Sequence, residues 1–161
     1  MKLITSGEVQ LGLYREEHLE ILNRFELPEN QAKFTALPKE KIAVSVGQYR
    51  VVILLKEVPV GFFLLHSTKR VSEYTTNSHA MLLTALSIDY KHQGKGYAKQ
   101  AMLALKAFIT THFPDCHEVV LAVNHKNIPA QQLYLKVGFV DTGERKIGEI
   151  GEQFILKLEI K

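Results

Sequence analysis

The sequence predicts a mixed α/β domain in which a helix bridges two central strands. Three observations carry that prediction. Ala98, Ala101, Met102, Leu105, Phe108 and Ile109 fall on one face of a 3.6-residue period. Of the runs on either side of that stretch, Met81 to Asp89 has strand character and Val119 to Val123 is continuously apolar. A second helical stretch, with Ala130, Leu133, Tyr134 and Val137 on one face, follows the second run and stops at Gly138.

Each element has its own signal. Val9, Leu11 and Leu13 alternate with Gln10, Gly12 and Tyr14, which predicts a first strand. Glu16 to Asn23 reads as a helix with Leu19 and Leu22 inward, Phe25 following. Glu26 to Val46 has weak periodicity and is expected to be partly helical. Tyr49 to Lys56 and Val60 to His66 are strands. The short connection Glu57-Val58-Pro59 makes them a hairpin, although the usual turn glycine or asparagine is missing. Lys69 to Asn77 is polar and reads as a loop. The Met81 to Asp89 strand leads into the polar turn Tyr90 to Tyr97, and the helix that follows is closed by Pro114 and Asp115. Val119 to Val123 is continuously apolar, as in a strand covered on both faces. Asn127 caps the next helix, with Pro129 in its first turn, where a missing N–H costs nothing. Phe139 to Thr142 and Gln153 to Ile160 are the last strands, joined by a charged loop from Gly143 to Glu152. The predicted order is β-α-(α)-β-β-β-α-β-α-β-β.

Composition narrows the class. The 161 residues are 46% hydrophobic and 23% charged, as in a globular chain, and contain no repeat or linker-like tract. A single domain, 1–161, is the simplest parse. No apolar run approaches the roughly 20 residues that span a bilayer. The start, MKLITSGEVQ, has no secretory h-region. The one cysteine, Cys116, excludes an internal disulfide and a multi-cysteine metal site. The expectation is a cytoplasmic protein without a membrane partner. The net charge of +3 is too small to imply nucleic-acid binding.

Placement of charge says more. Lys91, His92, Lys95 and Lys99 crowd around Gly94 and Gly96, where a strand gives way to a helix. The first N–H groups of a helix are unpaired, and the helix dipole is positive at that end. Glycines let an anion approach the backbone. The residues therefore suit a phosphate or pyrophosphate, although a plain strand-to-helix turn would use the same residue types. The pattern G-x-x-x-x-G-K-[ST] is absent, and G-x-G-x-x-G fails because Lys99 stands at the third glycine position. What fits is Q-x-x-G-x-A, as Gln93, Gly96 and Ala98.

A second constellation follows the next buried strand. From Asn124 to Phe139 the chain reads N-x-x-N-x-x-A-x-x-L-Y-x-x-x-G-F. With both motifs in this order and at this separation, the sequence resembles the GCN5-related N-acetyltransferase (GNAT) superfamily, most strongly from Met81 to Phe139. The resemblance implies a GNAT-like fold: a mixed, mostly antiparallel sheet of about six to seven strands, splayed between the two central strands, with helices on both faces. It implies acetyl-CoA as co-substrate, with the pyrophosphate held by backbone N–H groups of Gln93, Gly94, Lys95, Gly96, Tyr97 and Ala98 and with Lys99 nearby. Leu86 and Ile88 would offer backbone groups to the pantetheine arm. Asn124, Asn127 and Ala130 would line the other wall. Tyr134, one turn after Ala130, would place its hydroxyl near the thioester sulfur as a general acid. The same resemblance implies an amine acceptor and suggests a homodimer by analogy.

Other roles are less defined by the residues. A proton must leave the acceptor amine, and Glu26, Glu73, His79, Asp89 and Asp141 are candidate bases; none sits in a motif. Thr84 stands near where other members carry a carboxylate, which argues against a direct glutamate base. Cys116 has no histidine motif beside it and reads as a thiol away from the site, so direct transfer in a ternary complex is expected. The histidines lack paired metal-ligand spacing, so no metal is expected. The acceptor pocket is expected from 16–46, 69–77 and 143–152, and the carboxylates Glu144, Glu149 and Glu152 would suit a cationic acceptor, though a solvated hairpin tip would carry them equally well. An acyl-CoA-binding module without catalysis would use the same cofactor motif.

Overall fold

Eight strands hydrogen-bond into one sheet in the computed structural model, which describes residues 4–161. The first three residues of the amino-terminal stretch considered above lie outside the described residues. The strands are β1 (Ile4–Ser6), β2 (Val9–Leu13), β3 (Gln48–Leu55), β4 (Val58–His66), β5 (Ala80–Ile88), β6 (Glu118–Asn124), β7 (Val140–Gly148) and β8 (Gly151–Glu159). Their spatial order is β1-β2-β3-β4-β5-β6-β8-β7. Every neighbouring pair is antiparallel except β5 and β6. The helices are α1 (Leu19–Leu22), α2 (Glu29–Ala32), α3 (Pro38–Lys41), α4 (Tyr97–His112) and α5 (Ile128–Lys136). Glu16–His18 and Lys69–Glu73 are 3₁₀ turns, the second inside the predicted loop.

Side-chain alternation builds the two layers. Val51, Ile53, Phe63, Leu65, Met81 and Leu83 meet Met102, Leu105, Phe108 and Ile109 of α4 on one face. Val52, Leu54, Phe62 and Leu64 meet Leu22, Phe25, Leu37 and Ile42 on the other. The α1–α3 region therefore covers one face, and α4 with α5 the opposite one.

Three expectations are corrected in detail. The sheet has one strand more than foreseen, because β1 is only three residues long and offers too little alternation to read. The β3–β4 loop is Lys56-Glu57, with Val58 and Pro59 already in β4; both loop residues have positive φ, 48° and 69°, as a type I′ turn demands. Pro59 stands beside a register shift, where its missing N–H breaks no ladder bond. Finally, most of the charged stretch 143–152 is strand: β7 runs to Gly148 and turns through Glu149-Ile150 into β8. β7 is an edge strand with both faces largely solvated, so charged residues do not interrupt it.

The decisive irregularity lies at the centre. Phe62 pairs with Ser87 and Leu64 with Thr84, so β5 carries one residue more than β4 across this step. That bulge contains Ala85, at φ 58°. On the other side, β5 and β6 are paired only from Ala80–Leu82 to Glu118–Val120. Beyond those pairs the two strands no longer bond to one another, and a cleft opens between them.

Candidate active site

The cleft has a volume of about 910 Å³. Its walls are Leu83–Ile88 of β5 and Leu121–Asn124 of β6, its mouth is the glycine turn, and the 27–35 segment and the Glu149-Ile150 hairpin tip close its sides. Gly94 and Gly96 have φ of 76° and 82°. No heavy atom lies within 3.9 Å of where a Cβ would stand on either, so glycine is required here by backbone conformation, not by crowding. Gly96 is the N-cap of α4, and no side chain caps the helix. The leading N–H groups of this 16-residue helix therefore face the cleft mouth without an internal partner. Lys33, Lys99, Lys126 and His92 line the same region. Burial and the cations Lys91 and Lys95 hold His92 below the usual imidazole range, against the pull of Asp89.

The predicted site residues converge. Leu86, Ile88, Gln93, Gly94, Gly96, Tyr97, Ala98, Lys99, Asn124, Asn127, Ala130 and Tyr134 all line the cleft; Lys95 does not. Several are already engaged. The Leu86 carbonyl accepts from Thr35 Oγ1 at 2.9 Å and the Ile88 carbonyl from Gln93 Nε2 at 2.8 Å; a carbonyl oxygen has two lone pairs, so neither bond alone saturates it. Gln93 and Gln31 exchange amide hydrogen bonds of 2.7 and 2.9 Å, which ties the 27–35 segment to the glycine turn. The Asn124 side chain donates to the Ile150 carbonyl at 3.2 Å and accepts from Lys126 N–H at 2.9 Å. Asn127 caps α5 through a long 3.4 Å bond from Ala130 N–H.

Tyr134 is 7% exposed and packs edge-on against Phe139. Burial pushes its phenol well above the usual tyrosine range. A buried phenol that stays protonated, on a cleft wall, keeps an O–H that can donate a hydrogen bond into the cleft.

None of the five candidate bases lines the cleft. Asp89 is buried and accepts from Glu26 N–H at 2.9 Å, so both residues brace the turn. Asp141 is bidentate to Arg145, which holds its carboxyl below the usual range. Glu73 pairs with Lys146, and His79 stacks on His117. Cys116 is buried away from the cleft and donates to the Glu118 carbonyl, and burial pushes its thiol up. Thr84 does line the cleft, and behind it stands His66, which the sequence reading did not single out. No local pattern marks His66; only the β4–β5 register brings it there.

The comparisons agree with this geometry. Residues 15–139 match the Acetyltransferase (GNAT) family. The chain belongs to that family. It is 49% identical over 153 residues, 92% of this chain and 96% of the relative, to a Bacillus subtilis (strain 168) protein named uncharacterized N-acetyltransferase YbbJ. Among solved structures, aminoglycoside acetyltransferase AAC(6')-Ib with coenzyme A and kanamycin superposes with a TM-score of 0.75 at 17% identity, covering 94% of each chain. Spermidine N-acetyltransferase from Vibrio cholerae with CoA and spermine gives 0.70 at 17% identity, over 94% of this chain and 95% of that one. At these identities the structural likeness is one of fold. As a GNAT member, this chain is an acetyl-CoA-dependent acyltransferase. No described helix is long and apolar enough to cross a membrane. Among the described residues no group of three or more His, Cys, Asp or Glu is placed to hold a metal ion.

Proposed function

We propose that the protein transfers the acetyl group of acetyl-CoA directly to a primary amine, with both substrates in the cleft at once. The acceptor is a small amine, an amino acid derivative or a peptide N-terminus. The observation that carries this reading is the continuous cleft from the uncapped start of α4 to the buried Tyr134 phenol. The N–H groups of residues 93–98 receive the pyrophosphate, and Lys33, Lys99 and Lys126 balance its charge. Lys95 contributes its N–H rather than its side chain. The backbone groups of Leu86 and Ile88 take the pantetheine amides in the manner of an added strand. Asn124, Asn127 and Ala130 shape the opposite wall.

In the reaction the amine nitrogen bonds to the acetyl carbon, loses one proton and displaces sulfur. Tyr134 donates a proton to the departing thiolate and regains one from the proton the amine gives up, relayed through water, so that an amide and a free thiol result. A single catalytic domain over 1–161, a cytoplasmic location and a homodimer belong to the same proposal. The assay is thiol release from acetyl-CoA across a panel of primary amines, with initial rates at varied concentrations of both substrates. Intersecting reciprocal plots are expected. Parallel plots would indicate an acetylated enzyme instead, and no release with any amine would overturn the assignment.

A further inference from the structure

The closed end of the cleft carries a polar group that neither the cofactor motif nor Tyr134 accounts for. His66 is 1% exposed, yet its Nε2 lies 2.6 Å from Thr84 Oγ1 and its Nδ1 has no partner. A buried imidazole with one unsatisfied nitrogen is costly, and Thr84 is the only hydrogen-bond partner it has among the described residues. Thr84 is half-buried and lines the cleft. It lies two residues beyond Leu82, the last residue of β5 paired to β6, at the point where the cleft begins.

The bulge then turns a second hydroxyl to the same face of the sheet. In a regular strand, residues 84 and 87 would face opposite sides. Because β5 holds one extra residue here, Thr84 pairs with Leu64 and Ser87 with Phe62, which share the α1–α3 face. Ser87 is 4% exposed, lines the cleft, and its hydroxyl has no hydrogen-bond partner. Tyr134 belongs to the packing of the opposite face. The closed end therefore has an acid on one side and two hydroxyls on the other. No carboxylate lines β5 or β6 there.

We infer that Thr84 and Ser87 form the subsite that receives the acceptor amine, and that His66 is a positioning residue that fixes the Thr84 hydroxyl toward it. This rests on the proposed transfer reaction in this cleft. A neutral imidazole holds one side of the Thr84 hydroxyl, which leaves an oxygen lone pair to accept an amine N–H. The hydroxyl pair is itself neutral, and the one carboxylate lining the cleft among the described residues, Glu149, stands on the hairpin tip rather than on β5 or β6. The pair orients an uncharged amine nitrogen rather than neutralising a cation, so it selects the reactive form of the acceptor.

The test uses Thr84→Val, Thr84→Ser, His66→Gln, Ser87→Ala and the Thr84→Val/His66→Gln double variant. The acceptors are ethylamine, spermidine, kanamycin and a tripeptide with a free N-terminus, and acetyl-CoA affinity and melting temperature are measured alongside. Thr84→Val is expected to lower kcat/KM for the amine about 10- to 100-fold with acetyl-CoA affinity unchanged. Thr84→Ser recovers most of that loss, Ser87→Ala loses less than Thr84→Val, and the double variant is no worse than Thr84→Val, because His66 acts only through Thr84. Losses that add in the double variant, that follow melting temperature or acetyl-CoA affinity, or that spare Thr84→Val overturn the inference. If the wild-type protein binds acetyl-CoA and acetylates an amine while Thr84→Val keeps full activity, this inference alone fails. If the wild type acetylates none of them, the transfer reading fails and takes the inference with it.

Discussion

Tyr134 and His66 are opposite cases of one effect. Burial disfavours the charged form of each, so the phenol keeps its proton and the imidazole stays unprotonated. For Tyr134 this keeps the phenol of the proposed acid un-ionised across the assay range. Tyr134→Phe is expected to lower kcat about 100-fold with acetyl-CoA affinity unchanged, read by thiol release and by titration. For His66, burial with Arg70 and Lys41 nearby lowers the pKa from 6.5 to about 4. A folded pKa below the unfolded value means that the unfolded chain binds the extra proton as pH falls. This residue's contribution to stability is therefore present above pH 6.5 and is lost as pH drops toward 4. Acid should cost the wild type about 2–3 kcal/mol through His66 over that window. The check is denaturant unfolding at several pH values: the wild-type stability should fall more steeply with acid than that of His66→Gln, and parallel curves would remove His66 as the cause. Nothing local in the sequence marks either environment. The motif from Asn124 to Phe139 draws attention to Tyr134 but not to its burial, whereas His66 depends on a strand register that no spacing announces.

At the scale of elements, legibility followed how local each signal was. The glycine turn, α4 and α5 are each set by adjacent residues, and their bounds fall within about two residues of those read from periodicity. The 26–46 region resolves into two four-residue helices whose residues pack only partly against the sheet, too little for a period to emerge. The β3–β4 hairpin shows a competing effect. Its register is fixed by apolar pairing along both strands, which forces Lys56 and Glu57 into left-handed backbone that neither prefers. Replacing them by Asn and Gly should relieve that strain and stabilise the fold by about 1 kcal/mol, read as a higher denaturation midpoint at unchanged m-value. An unchanged or lower midpoint would show that the two side chains offset the strain elsewhere. The converse holds at the mouth of the cleft. Gly96→Ala meets no steric obstacle but carries the left-handed penalty of about 1–2 kcal/mol. It should weaken acetyl-CoA binding more than it lowers stability, because relaxing φ turns the leading N–H groups away from their common focus.

The whole molecule is a sheet interrupted at its centre. Between the β1–β5 half and the β6–β8–β7 half, strand pairing extends over only three residues on each side. Packing of α4 against the sheet and the 80–82 pairs hold the halves together, and beyond those pairs the facing edges of β5 and β6 do not bond to one another. A ligand that lies along both strands supplies the ladder the fold leaves open. Acetyl-CoA should therefore stabilise the protein by more than attachment at the mouth alone. At a ligand concentration of one hundred times Kd, linkage gives about 2.7 kcal/mol, or a rise in melting temperature of roughly 5–10 °C for a chain of this size. ATP and NAD also carry pyrophosphate but have no pantetheine arm. They engage only the glycine turn and should give a small shift or none. Amide exchange separates the two modes. Acetyl-CoA should slow exchange at residues 84–88 of β5 and at 121–124 of β6 together, whereas a nucleotide should at most protect residues 93–98. Equal thermal shifts from ATP and acetyl-CoA, or protection by acetyl-CoA confined to the turn, would mean that the cleft between the two half-sheets is not where the thioester lies.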